Sequence, residues 1–160
     1  MQSRSRSILL FVLTAYVAFV FIQSLFFKYT NSPETQYIFG TLNAWAGTLG
    51  APGLFAPNGI FSQYVIGTFE LIASTILLVG YFLRKPVVHA AGALMSLGVI
   101  SGAIFFHLFT PLGVQVLNTD GTLDGGELFT LACGVWVSSL IILLLRRQEV
   151  LNALRMRRIF

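Results

Sequence analysis

Four runs of about twenty apolar residues, almost free of charge, dictate what this chain can become. They cover residues 8–27, 60–83, 87–109 and 128–145. Each is long enough to cross the ~30 Å hydrocarbon core of a bilayer as a helix. A helix satisfies its own backbone N–H and C=O groups, which hydrocarbon cannot do. Charged residues make up 10% of the chain, against roughly 25% in soluble domains, so a water-soluble fold is excluded. The expected fold is an all-α membrane protein, a four-transmembrane-helix bundle forming one membrane domain over 1–160.

The few charges are sorted. Arg4 and Arg6 precede the first run, and Arg84 and Lys85 separate the second from the third. Arg146, Arg147, Arg155, Arg157 and Arg158 follow the fourth. Nine of the ten basic residues therefore fall on one side, which the positive-inside rule makes cytoplasmic. Both termini are expected inside, with the protein integral to the cell (inner or plasma) membrane. The net charge of +4 then reports topology and contact with the lipid bilayer, and no nucleic-acid partner is expected. The first run lacks a small-x-small cleavage site and reads as a retained anchor.

Between the first two runs, Ser32-Pro33-Glu34 carries N-cap, first-turn proline and early-acid signals. Ile38, Leu42, Trp45 and Leu49 follow at helical spacing. A short interfacial helix is predicted over 33–46. Trp45, Arg84, Lys85, Arg146 and Arg147 are expected at the membrane–water interface. The loop 110–126 is polar and rich in glycine and aspartate, a cap over the bundle mouth. Its TDGTLDGG lacks the spaced ligands of a calcium loop. The tail 146–160, with Val150, Leu151, Leu154 and Ile159 among arginines, reads as a cytoplasmic helical extension against anionic headgroups.

Ionisable groups within a span are costly and face the bundle interior. Glu70 shares a small, polar face with Gln63, Gly67 and Ser74. His89 and His107 share a face five turns long, about 27 Å apart along the axis, and so cannot ligate one haem or one metal. His89, beside Arg84 and Lys85, reads as interfacial. Glu127 is either a helix-start acid or part of the face of Leu131, Gly134 and Ser138. Gln23 shares a face with Tyr16 and Phe19, and Lys28 follows one turn later. Gln23, Lys28, Glu70, His107 and Glu127 are thus expected to converge in the outer half of the bundle. They would form a ligand-binding site or a buried polar network, built on a Glu70–His107 or a Glu70–Lys28 pair. Cys133 is the single cysteine, which excludes a thiol relay and reads as packing. No metal-ligand spacing, phosphate loop or dinucleotide fingerprint is present, and no catalytic residue is assigned.

The first run ends in SLFFKY, the second contains GTFELIASTILLVGYFLRK, and the third ends in a histidine. In these features the chain resembles the DoxX-like family of small four-helix membrane proteins. The matching positions are Lys28, Gly67, Glu70, Leu71 and His107. The resemblance implies a link to thiosulfate:quinone oxidoreduction or to sulfur and thiol stress complexes, with distant relatives acting as membrane chaperones or assembly factors. Two functions follow as expectations. In the first, a redox subunit with no intrinsic cofactor binds a quinone. His107 bonds its carbonyl, Glu70 carries the proton, and Phe105, Phe106 and Trp45 line the tail's path. In the second, a non-enzymatic accessory subunit packs against other membrane-protein subunits, or another copy, through Phe11, Phe19, Phe21 and Phe26. A small transporter is a third reading, but no inverted repeat is visible.

Overall fold

A computed structural model of the chain describes residues 2–118 and 120–156. Arg157, Arg158 and Ile159 of the basic tail lie outside the described residues. The helices are α1 (Gln2–Tyr29), α2 (Pro33–Thr48), α3 (Gln63–Phe82), α4 (Pro86–Phe109) and α5 (Glu127–Met156). Four of them, all but α2, are long and apolar enough to cross a membrane. Their starts follow local chemistry. Ser32 accepts from the Thr35 N–H and Pro33 opens α2. Ser62 does the same for Val65 at the start of α3, and Pro86 opens α4. The helix containing the fourth run does not stop at its apolar end. No glycine or proline follows Gly134, so α5 continues through Met156.

The four long helices form a ring in which α1 packs on α3 and α5, and α4 packs on the same two. Val17, Phe21, Leu77, Ala93, Val135 and Ile142 fill its centre. Phe21 was expected to face lipid, but it is 1% exposed, whereas Phe11, Phe19 and Phe26 do face outward. In the α3–α4 hairpin the two backbones approach closely. Gly80 lies against the backbone of His89, and Gly92 against the backbone of Leu77. Without a hydrophobic drive in lipid, close packing of this kind holds helices together.

At the end of the bundle opposite the Arg84-Lys85 turn, here the cap end, a second core forms. Leu42 and Ala46 of α2 meet Phe55 of the first loop and Leu112 and Val116 of the second. Trp45 packs there too, half-buried, its ring edge-on to Phe106 at 6.3 Å. The helix α2 therefore packs over the bundle mouth. An isolated bridge between Leu117 and Leu123 ties the second loop to itself.

The glycines divide by surroundings. A Cβ on Gly92 would approach Leu77 N to 2.5 Å, whereas Gly98 and Gly102 have open space around them. Gly92→Ala is expected to lower stability in detergent by about 1–3 kcal/mol. Gly98→Ala should be neutral or stabilising by up to about 1 kcal/mol, with thermal unfolding of both as the measurement.

Candidate functional site

Lys28 stands on the last turn of α1 and Glu70 in the middle of α3. The Nζ of Lys28 donates to Glu70 Oε1 at 3.1 Å and lies 2.9 Å from Oε2. It also donates to Ser24 Oγ, one turn back, at 3.1 Å. Ser24 in turn donates to Glu70 Oε2 at 2.7 Å. The local pattern makes this possible. Ser24 and Lys28 are one turn apart on α1, and Gly67 and Glu70 one turn apart on α3. A Cβ on Gly67 would meet the Lys28 stem at 3.4 Å, so that stem lies against α3 at this point. Gln63, on the same face, donates to the Lys28 carbonyl and to Asn31 Oδ1, both at 2.9 Å, and so ties the end of α1 to the start of α3.

The other expected members do not join them. His107 is buried, but its Nδ1 donates to the Gly113 carbonyl at 2.6 Å, and its ring meets Phe129 edge-on at 5.7 Å. The chain turns back at Thr110-Pro111, and Gly113, at φ +71°, puts its carbonyl within reach of the ring. The Glu70–His107 pairing is therefore not made. Gln23 and Glu127 are exposed. Glu127 is the first-turn acid of α5, where the helix dipole favours it. A helical wheel says which residues leave the lipid face, not which neighbour each will meet. Ser24, which the sequence reading passed over, takes the place foreseen for Gln23. Its signal was the spacing of Ser24 and Lys28, which stacks both on one stripe.

A second polar cluster sits at the basic end. His89 is fully buried, not interfacial as expected. Arg146 donates from Nε to His89 Nδ1 at 3.1 Å. An arginine only donates, so Nδ1 is the bare nitrogen and Nε2 carries the proton toward Thr14 Oγ1 at 2.9 Å. Arg146 also lies 3.7 Å from Glu149, which Arg6 holds at 2.7 Å. Arg6 additionally bonds the Leu145 carbonyl. Arg146 is thus partly buried within the basic end of the bundle. Arg84, Lys85 and Arg147 are exposed.

In the cap loop, burial raises the Asp124 carboxyl, but the backbone N–H groups of Val116, Gly126 and Leu128 outweigh it and hold the group below the usual range. The bonds are 2.8, 2.9 and 3.1 Å long. Asp120 is also lowered, chiefly by the Thr122 hydroxyl. Among the described residues, no three of the His, Cys, Asp and Glu side chains are grouped to hold a metal ion.

Two predictions follow from this geometry. Removing one member of a buried ion pair leaves the other uncompensated, at a cost of about 3–5 kcal/mol. Lys28→Met or Glu70→Ala alone should lower stability by roughly that amount, and the double variant Lys28→Met/Glu70→Leu should recover most of it. Thermal unfolding in detergent checks both. For Asp124 the folded value lies below the unfolded one. Its contribution is present above the ordinary aspartate range near pH ~4 and is lost as pH falls through the lowered folded value. The protection factors of the amides across Val116–Leu128, taken against the intrinsic rate at each pH, should therefore fall in acid. Asp124→Asn should lower them roughly tenfold or more at neutral pH, since a bond to a charged acceptor is worth about 1.5–3 kcal/mol. No known protein family, curated protein or solved structure matches the chain.

Proposed function

We propose that the protein is a non-enzymatic accessory subunit of the DoxX-like type, packed beside other subunits of a larger membrane complex. The reading places it in the cell membrane with both termini cytoplasmic and the cap end outside. The observation that carries it is that the buried lysine, glutamate, histidines and arginine between the helices are each held by a partner. Lys28, Ser24 and Glu70 lock α1 to α3. His107 locks the end of α4 to the cap loop. Thr14, His89, Arg146, Glu149 and Arg6 lock α1, α4 and α5. Groups spent in this way rigidify a scaffold.

A quinone held between His107 and Glu70 does not fit this arrangement. Lys28 is bound to Glu70 and Ser24, and the Nδ1 proton of His107 is taken by Gly113. The first of the two expected functions is therefore the weaker one. The outer face of α4 favours docking. Gly98 and Gly102, spaced as in close-packing helix pairs, are open, whereas Gly67, Gly80, Gly92 and Gly134 each have a neighbour against them.

Extraction in a mild detergent should yield this chain within a large assembly. Gly98→Leu should release it without lowering the melting temperature of the released subunit. A clean monomer or dimer at every detergent level would sink the proposal. So would a quinone that co-extracts with the purified chain and is lost in Glu70→Gln.

A further inference from the structure

The helix α5 is longer than its apolar run, and the excess forms a stiff stem. The run ends at Leu145, while α5 continues to Met156 with no glycine or proline to bend it. Leu151 and Leu154 stand six and nine residues past Leu145, about 9 and 14 Å along the axis. The headgroup layer on one side of a bilayer is only about 5–8 Å deep. A helix that crosses the membrane steeply therefore carries both leucines past the lipid and into water.

Both leucines are nevertheless exposed, at 46% and 55%, and they belong to a pattern. Leu144, Arg147, Leu151 and Leu154 follow one another at intervals of three, four and three residues, and all four are exposed. That is the 3.5-residue spacing of a coiled-coil seam, whose side chains insert between those of a second helix. The other side of the stem is already occupied. Glu149 is held there by Arg6 of α1, and Val150 and Ala153 are half-buried. The exposed seam faces away from the bundle.

The charges on this face say what can cover it. Arg147 lies within the seam, and Arg155 is exposed beside it, one turn beyond Leu151. Glu149 is the only acid in the chain after Glu127, and Arg6 holds it. Among the described residues neither Arg147 nor Arg155 meets a carboxylate. A second copy of the chain is a poor fit. Copies with one topology run parallel, and in a parallel pair each seam position faces its own counterpart. Arg147 would then meet Arg147, and like charges set opposite each other repel. An anionic lipid surface is also a poor fit, because it stops short of Leu151 and Leu154. A helix that offers both apolar side chains and carboxylates answers the whole face.

We infer that the stem of α5 pairs with one acidic helix of a neighbouring subunit on the basic side of the membrane. That helix sets apolar residues against Leu151 and Leu154, and carboxylates against Arg147 and Arg155. The inference rests on the accessory-subunit reading only in requiring a neighbour, and the α4 face plays no part in it.

The test places a photo-reactive phenylalanine analogue at Leu151, and separately at Leu154, in the full chain, and illuminates it in the cell's own membranes. Sequencing of the cross-linked peptide should find a helical segment of another polypeptide with carboxylates within a turn or two of the cross-link. Arg147→Glu combined with Arg155→Glu should cut the cross-link at least about tenfold, while Arg147→Lys combined with Arg155→Lys should keep it. Neither pair should move the melting temperature, since both positions are exposed. A cross-link to a second copy of this chain, to lipid or to a segment without carboxylates overturns the inference. So does a yield indifferent to the charge reversal, or the absence of a cross-link from both positions. A large assembly that survives mild detergent yet gives no cross-link removes this inference and leaves the accessory-subunit reading standing.

Discussion

Hydrocarbon does not solvate charge, and nearly every feature of this fold answers to that constraint. Most charges are carried to the helix ends, where they meet water. Lys28, Glu70, His89 and Arg146 remain partly or wholly buried, and each is met by a partner on another helix. Because the partners come from different helices, satisfying the charge also sets which helices are neighbours. The Lys28–Glu70 pair joins α1 to α3 near the cap end. The Thr14–His89–Arg146 chain joins α1, α4 and α5 near the basic end. Between them the ring is held by shape, through Gly80 and Gly92, where α3 and α4 approach backbone to backbone.

Much of this architecture was legible in the sequence, because length, apolarity and charge placement are one-dimensional properties. The four spanning helices, the short helix capped at Ser32 and the buried stripes of α3 and α4 all follow from counting residues along the chain. The stripe of Gln63, Gly67, Glu70 and Ser74 is buried as its spacing implies. The pairings were less legible. Wheel position placed both His107 and Lys28 inward, but the turn after α4, and not the wheel, gave His107 to Gly113. His89 looked interfacial because it follows two exposed cations in sequence. An arginine fifty-seven positions away buries it, and no local pattern carries that information. Gln23 and Glu127 were drawn inward by the faces they share with Tyr16 and with Gly134, yet both are exposed.

The three locks differ in kind. Lys28–Glu70 is an ion pair in poor solvent, so each partner depends on the other. His107–Gly113 is a neutral bond that positions a loop. The His89 cluster is a neutral imidazole between a hydroxyl and a guanidinium, with the net charge passed outward to Glu149 and Arg6. In each lock the buried group is either neutral or paired, since the apolar middle formed by Leu77, Ala93 and Val135 offers a lone charge nothing.

The cap core of Leu42, Ala46, Phe55, Leu112 and Val116 belongs to a different solvent from the bundle beneath it. It is assembled from two loops and α2 at the watery end, where association is driven by expelling water, a force that weakens on cooling. The spanning helices gain no such drive from lipid and rely on contact and paired charge. One chain thus contains two cohesive units with opposite responses to their surroundings. Cold or a mild denaturant loosens the cap first, while a change of detergent or bilayer thickness acts first on the ring. The bond from His107 to Gly113 is the joint at which the two regimes meet.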